Sequence, residues 1–457
     1  MKYFKKIIFV LFICNTLFSV GEAGAIFLLI SPGAAAQGTG EANVARVDDA
    51  YSSYYNPAAL AFQTKRSIAG MHVNWLKQLV PDLYYEYIGF SMPMGNIGGI
   101  GGHLIFLSLG DQQATDEVGN YLGSFSSYMW ALDAAYGTKL TTNSAIGLGF
   151  KVYHQKLADA AVAGESGQGK PYSTDFAFDV SYLYKQPADK YRIGLSIANI
   201  GPAITFIDED QADPAPTNMR LGLFANLYKD EFTKINMMVD MQKLLVAKYP
   251  SMDWDGDGLI GGGPGSNSFK NSDGQNEGSY SDPWSKAWLT AWLDDWYYGG
   301  DFDWDGDKKI GGYYWVDGYN SDTFQFTGAT DNIIDEEEMI QEGAIPDNLQ
   351  SQLDGESAEY SSFVGTEGAY KEKGSGSDRS FSNEFNEVIL NTGFEFWYTD
   401  SFVLRCGYIY DNEGDIKNPT FGAGLRFGGY GFDFGYTAGS KSHPRSNSLF
   451  FSISAEI

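Results

Sequence analysis

Apolar and polar positions alternate over long stretches of this chain. In SAIGLGFKVYH, Ile146, Leu148, Phe150 and Val152 share one face, and Ala145, Gly147, Gly149 and Lys151 the other. In STDFAFDVSYLY the apolar face is Phe176, Phe178, Val180, Tyr182 and Tyr184, opposite Asp175, Asp179 and Ser181. FVLRCGYIY sets Phe402, Leu404, Cys406, Tyr408 and Tyr410 against Arg405 and Gly407. A period of two is the signature of a β-strand with two different faces. Soluble sandwiches also alternate, but their strands average five or six residues and their polar face is charged surface. Here the runs reach about ten residues or more and the second face is small or polar, which suits the lumen of a membrane barrel.

The pattern predicts strands over 66–76, 84–94, 97–109, 126–140, 143–156, 173–186, 190–201, 217–228, 233–246, 384–399, 401–412, 417–427, 429–438 and 446–457. These are fourteen in all, and an even number fits a bacterial barrel. The links supply an independent check, because such barrels have short periplasmic turns and longer external loops. Links after even strands are brief, as at Gly95-Asn96, Thr141-Thr142, Asp400 and Gly428. Links after odd strands are longer: 77–83, 110–125, 157–172, 202–216, 247–383, 413–416 and 439–445. With both termini periplasmic, the long link at 247–383 lies outside the cell.

Composition agrees: 16% aromatics, 55 Gly and only 19% charged residues. The formal net charge of −27 argues against nucleic acid, whose binders need a basic face. At the N-terminus, Lys2, Lys5 and Lys6 precede an apolar run from Ile7 to Phe18 and then small residues, a secretory signal peptide too short to span a bilayer. Its removal leaves Cys406 as the only cysteine, so no internal disulfide is possible. No later stretch approaches the roughly 18–20 apolar residues of a transmembrane helix.

The insertion differs in kind from the strands. Between 249 and 383 there are 27 acidic and 7 basic residues, and seven of the ten Trp. Ser281-Asp282-Pro283 offers a helix start, after which Trp284, Trp288, Trp292 and Trp296 recur on one helical face. That stripe is either the insertion's own core or a partner-binding surface. Two aspartate loops stand out. Asp253, Asp255 and Asp257, and again Asp303, Asp305 and Asp307, occupy positions 1, 3 and 5 of an EF-type loop. Gly258 supplies the turn, and the Leu259 and Lys309 carbonyls would be the position 7 ligands. Three carboxylates this close repel unless a cation or solvent intervenes, so the six aspartates are candidate ligands of a structural calcium ion. Position 12, normally a bidentate acid, is Pro264 or Tyr314, and Lys308 stands at position 6 of the second loop. A solvated acidic turn is the competing reading.

Catalytic chemistry has little support. None of His72, His103, His154 and His443 sits in a catalytic spacing with Ser or Cys, and His103 and His154 fall within strands. The Gly cluster at 95–102 is followed by no helix, so a kink or close backbone packing explains it better than a phosphate loop. About forty residues of small and aromatic character precede the first strand, enough for a hatch inside the lumen. Gly147, Gly149, Gly194, Gly222, Gly422 and Gly424 leave room for it.

That segment resembles the PorV/PorQ family, relatives of the FadL-type fourteen-stranded barrels. Phe27-Leu28, Ile30, Pro32-Gly33-Ala34, Gly38, Gly40, Asp48-Asp49-Ala50 and Tyr55-Asn56-Pro57-Ala58 follow the family's mature N-terminal pattern. MQKLLV at 241–246 and EVILNTGFEFWYTDSFVLRCGYIYD near the C-terminal strands are similar to further family segments. Ala35, Thr39 and Ala59 depart from it, and no Pro-rich run follows Val246. The resemblance implies a non-enzymatic outer-membrane component of type IX secretion. Such a barrel accepts cargo bearing a C-terminal sorting domain from the translocon barrel and passes it to a surface attachment complex with a sortase-like protease. The alternative is a FadL-like transporter of hydrophobic small molecules, which needs an apolar pocket; the inner faces named above are small and polar.

The sequence is therefore read as an all-β, 14-stranded antiparallel outer-membrane β-barrel with an N-terminal hatch and a large extracellular insertion. The segments are a signal peptide (1–25), the hatch (26–62), strands one to nine (63–248), the acidic insertion (249–383) and strands ten to fourteen (384–457).

Overall fold

The computed structural model describes residues 23–76, 82–115, 121–158, 171–206, 212–249, 387–412, 414–439 and 447–457, with short pieces between 280 and 371. Fourteen antiparallel strands form a closed barrel. They are β1 (Ser67–Asn74), β2 (Tyr84–Pro93), β3 (Gly99–Thr115), β4 (Tyr121–Lys139), β5 (Ser144–Lys156), β6 (Tyr172–Lys185) and β7 (Tyr191–Ile200). The set continues with β8 (Asn218–Lys229), β9 (Lys234–Leu244), β10 (Ile389–Thr399), β11 (Phe402–Asp411), β12 (Ile416–Phe427), β13 (Tyr430–Thr437) and β14 (Ser448–Glu456). β14 closes on β1 through the register Ser67↔Glu456 to His72↔Phe451. Closure pairs every barrel strand on both sides, which leaves no sheet edge within the wall.

Alternation becomes sidedness. Leu148 is 56% exposed on the outer face of β5, whereas its neighbour Lys151 on the inner face is 3% exposed. Phe176, Phe178 and Val180 of β6 likewise face outward, and Ala177, Asp179 and Ser181 are buried. An apolar outer band beside a buried, partly polar inner face is the arrangement a bilayer demands.

Two expectations from the sequence need correcting. The link expected over 110–125 is mostly strand: β3 runs to Thr115 and β4 starts at Tyr121, pairing as a hairpin that passes the ends of both neighbours. Its residues lack an apolar lipid face, so periodicity read them as loop. The lumen is also not uniformly small and polar. On β1, β2, β3, β5 and β14, the buried side chains include Met71, Tyr85, Tyr87, Ile105, Tyr153 and Phe450. The glycines that suggested a small lumen come from β5, β7, β8 and β12, and of the six large side chains only Tyr153, on β5, shares a strand with them.

Residues 247–385 form a separate unit. Ala247–Tyr249 pairs with Tyr280–Asp282, Tyr313–Val316 with Gly368–Lys371, and Tyr319–Asn320 with Gln325–Phe326. A helical turn follows Pro283, where the Ala287 N–H donates to the Pro283 carbonyl at 2.9 Å. Residues 1–22, Trp288, Trp292 and Trp296, and all six candidate calcium aspartates lie outside the described residues.

Candidate functional site

Residues 23–62 thread the barrel as a plug. At the end with long links, the Gly24 N–H donates to the Pro214 carbonyl at 3.0 Å, while Phe27 and Leu28 are buried in the apolar cluster with Trp75, Tyr85 and Phe450. At the end with short turns, Pro57 and Leu60 press on Gly99, Gly137 and Gly147. A Cβ on Gly147 would stand 2.2 Å from the Ala58 nitrogen, and one on Gly407 2.3 Å from the Gly40 nitrogen. Main chain therefore meets main chain, and only glycine fits. Gly194, Gly222 and Gly422 meet the plug in the same way, whereas Gly149 and Gly424 face carboxylates of the wall. The Gly run near 98 is close packing as well, with Gly99 and Gly101 against Leu60.

Buried backbone polar groups need partners, and wall and plug provide them. Asp240 of β9 accepts from the Asn43 and Val44 N–H groups at 2.6 and 2.8 Å. Thr420 of β12 accepts from the Gly40 N–H at 2.9 Å. Asn56, fully buried, accepts from the Ala58 N–H and donates to the carbonyls of Val44 and Tyr182, each at 3.1 Å. The Tyr85 and Tyr87 hydroxyls donate to the carbonyls of Ile30 and Ala50. These contacts explain why Tyr55-Asn56-Pro57-Ala58 and the glycines around it occur together: they are two halves of one joint.

One ionic chain ties plug to wall. Glu395 of β10 accepts from Arg46 Nε of the plug at 3.1 Å, from Arg405 Nε at 2.9 Å and from Asn236 Nδ2 at 3.2 Å. Arg405 also donates to Asp433 at 2.8 Å, and Arg426 donates to both oxygens of Asp433. The Glu395 side chain is 3% exposed and Arg405 fully buried, so each charge depends on the next for compensation. Beside this chain, burial and the neighbouring Asp48 push the Asp49 carboxyl up to about 6, against the opposing pull of Arg46 and the Tyr51 N–H. In the β6–β7 turn, Arg192 donates twice to Asp189, at 2.8 and 2.9 Å. Despite the cost of partial burial, that pairing holds the Asp189 carboxyl below its ordinary value.

Below the plug, a cavity of about 1060 Å³ opens among the short turns. Arg46, Arg192 and Glu395 reach it from the plug side, and Phe224, Trp397 and Lys65 line its walls. No pattern in the sequence pointed to it, since its walls come from seven separate strand ends.

His103 has a structural place in the barrel wall, on β3, as its position within a strand implies. Its ring lies inside the lumen, 2.9 Å from Ser53 Oγ and 3.3 Å from an Asp133 oxygen. Both partners meet the same nitrogen, Nδ1. A nucleophile relay needs the hydroxyl and the carboxylate on opposite ring nitrogens, so the Ser53 bond fastens the plug to β3, with Asp133 of β4 beside it. Lys151, Asp179 and Asn199 continue the polar contacts along β5–β7. Among the described residues no group of three or more His, Cys, Asp or Glu is placed to hold a metal ion.

A family model for the type IX secretion system protein PorV matches residues 19–251. Similar solved structures include the Ralstonia pickettii toluene transporter TbuX, at 9% identity, covering 94% of this chain and 98% of that one, with a TM-score of 0.41. The Pseudomonas putida toluene transporter TodX is 11% identical, covers 93% and 96%, and has a TM-score of 0.40. The CymD monoaromatic hydrocarbon channel is 11% identical over 94% and 98%, with a TM-score of 0.41. No curated protein matches the chain. The matched span holds the plug and the first nine strands, just over half of the 457 residues; this chain belongs to the PorV family, type IX secretion system components of the bacterial outer membrane.

Proposed function

We propose that this barrel binds secreted proteins through their C-terminal sorting domain and hands them from the type IX translocon barrel to the surface attachment complex with its sortase-like protease. The observation that carries the reading, beside the family, is the plugged lumen. Phe27, Leu28, Tyr54 and Tyr55 fill the apolar half of the barrel, and hydrogen bonds and ion pairs fasten the polar half. A barrel filled in this way offers its external loops, rather than its bore, to a partner. Its chemistry is binding and release, with no bond made or broken.

The 249–383 insertion would be the largest of the external loops. Calcium at Asp253, Asp255 and Asp257 and at Asp303, Asp305 and Asp307 would cancel carboxylate repulsion and stiffen that loop. Affinity purification of the native protein from outer membranes in calcium tests the reading. A large translocon barrel or secreted chains sharing a C-terminal β domain should be recovered. Recovery of the barrel alone with bound lipid would favour the FadL-like alternative, transport of a hydrophobic small molecule.

A further inference from the structure

The β3–β4 hairpin leaves the barrel with two edges that its neighbours do not cover. β2 begins at Tyr84, opposite Ser108 of β3, and β5 ends at Lys156, opposite Tyr128 of β4. Beyond those points β3 and β4 pair only with each other, from Asp111↔Ser126 to Thr115↔Tyr121. Among the described residues nothing continues the ladder on either side. The two edges differ in chemistry. On β3, an extra residue sits between Ser108 and Asp111, Gly110 has φ of +73°, and Asp111 is exposed. A bulge and an inserted charge are the usual devices that blunt a strand edge. On β4, Tyr121 to Ser126 carries no charge and no proline in a chain of net charge −27. Among the described residues its edge has no paired strand for about 20 Å at 3.3 Å per residue.

We infer that the edge of β4 over Tyr121–Ser126, unpaired on its β5 side among the described residues, is a docking site for an extended strand of a secreted partner, added antiparallel or parallel to the hairpin. A row of main-chain N–H and C=O groups at regular spacing is matched in order only by another extended backbone. Small side chains at Gly123, Ser124 and Ser126 let that backbone approach, and the half-buried Phe125 gives it an apolar contact. The hairpin stands on the rim with the long links, where secreted chains would be met. The inference rests on the cargo-binding reading above and narrows it to one edge.

Hydrogen exchange on the full-length protein in detergent tests it, with a purified C-terminal sorting domain from a secreted protein of the same genome as the probe. Bound probe should slow exchange at least tenfold at the outward-pointing amides of 121–126, with little change over 111–115. Probe that binds while 121–126 exchanges as before overturns the edge and leaves the cargo reading intact. Slow exchange without probe that follows protein concentration would assign the edge to a second copy of this chain and overturn the proposal. A probe that does not bind at all removes the cargo reading and this inference with it.

Discussion

Replacing Glu395 with Gln keeps the side chain's shape and removes the one negative charge between two buried guanidinium groups. Arg46 would keep Asn43 Oδ1 at 3.1 Å, and Arg405 would keep Asp433 at 2.8 Å. Losing one member of a buried ion pair costs about 3–5 kcal/mol, and these surviving partners place Glu395→Gln near the lower end. About 3 kcal/mol corresponds to roughly a 150-fold change in an equilibrium. Arg46 belongs to the plug and Arg405 to the wall, so the loss should fall on the closed state of the plug rather than on the barrel. Hydrogen exchange in the purified protein reads this directly: amides of residues 39–49 should exchange about a hundredfold faster, while those of β2–β5 stay protected. Arg46→Met alone should loosen the same segment, and the double variant should lose less than the sum of the two, because both remove one interaction. Unchanged exchange over 39–49 in Glu395→Gln, or strict additivity in the double variant, would refute the latch.

Gly147→Ala places a Cβ 2.2 Å from the Ala58 nitrogen, so the folded, heat-modifiable band should be largely lost; Gly70→Ala, whose nearest atom is 3.8 Å away, should behave as wild type. Asp49 has a carboxyl raised to about 6, so the native state holds the extra proton between about pH 4 and 6 and the plug loses stability as pH rises through that window, by at most about 3 kcal/mol. Asp49→Asn should flatten that dependence and slow exchange of residues 43–56 at pH 7.5. Chelation with EDTA should speed proteolysis within 249–383 and leave the barrel uncut; an unchanged digest, or one unaffected by Asp253→Asn and Asp303→Asn together, would remove calcium from the account.

The barrel was legible because each strand reports its own two faces. Leu148 and Lys151 declare their sides without reference to any other strand, and the short and long links show which end is which. The plug was legible in part, since glycines on inner faces imply something close against them. What stayed hidden depends on closure. Arg46 and Glu395 are 349 residues apart, and no local pattern pairs them. The Ser53 and His103 contact likewise joins a plug turn to a strand fifty residues on. The β3–β4 hairpin escaped for the opposite reason, because it stands clear of the lipid and has no apolar face to announce it.

The most direct test of the central claim is recovery of the native protein from outer membranes under gentle detergent and calcium, with mass spectrometry of everything that comes with it. The account predicts a translocon-sized barrel or several secreted proteins that share a C-terminal β domain. A lone barrel with fatty acids or other apolar molecules in its lumen would contradict it.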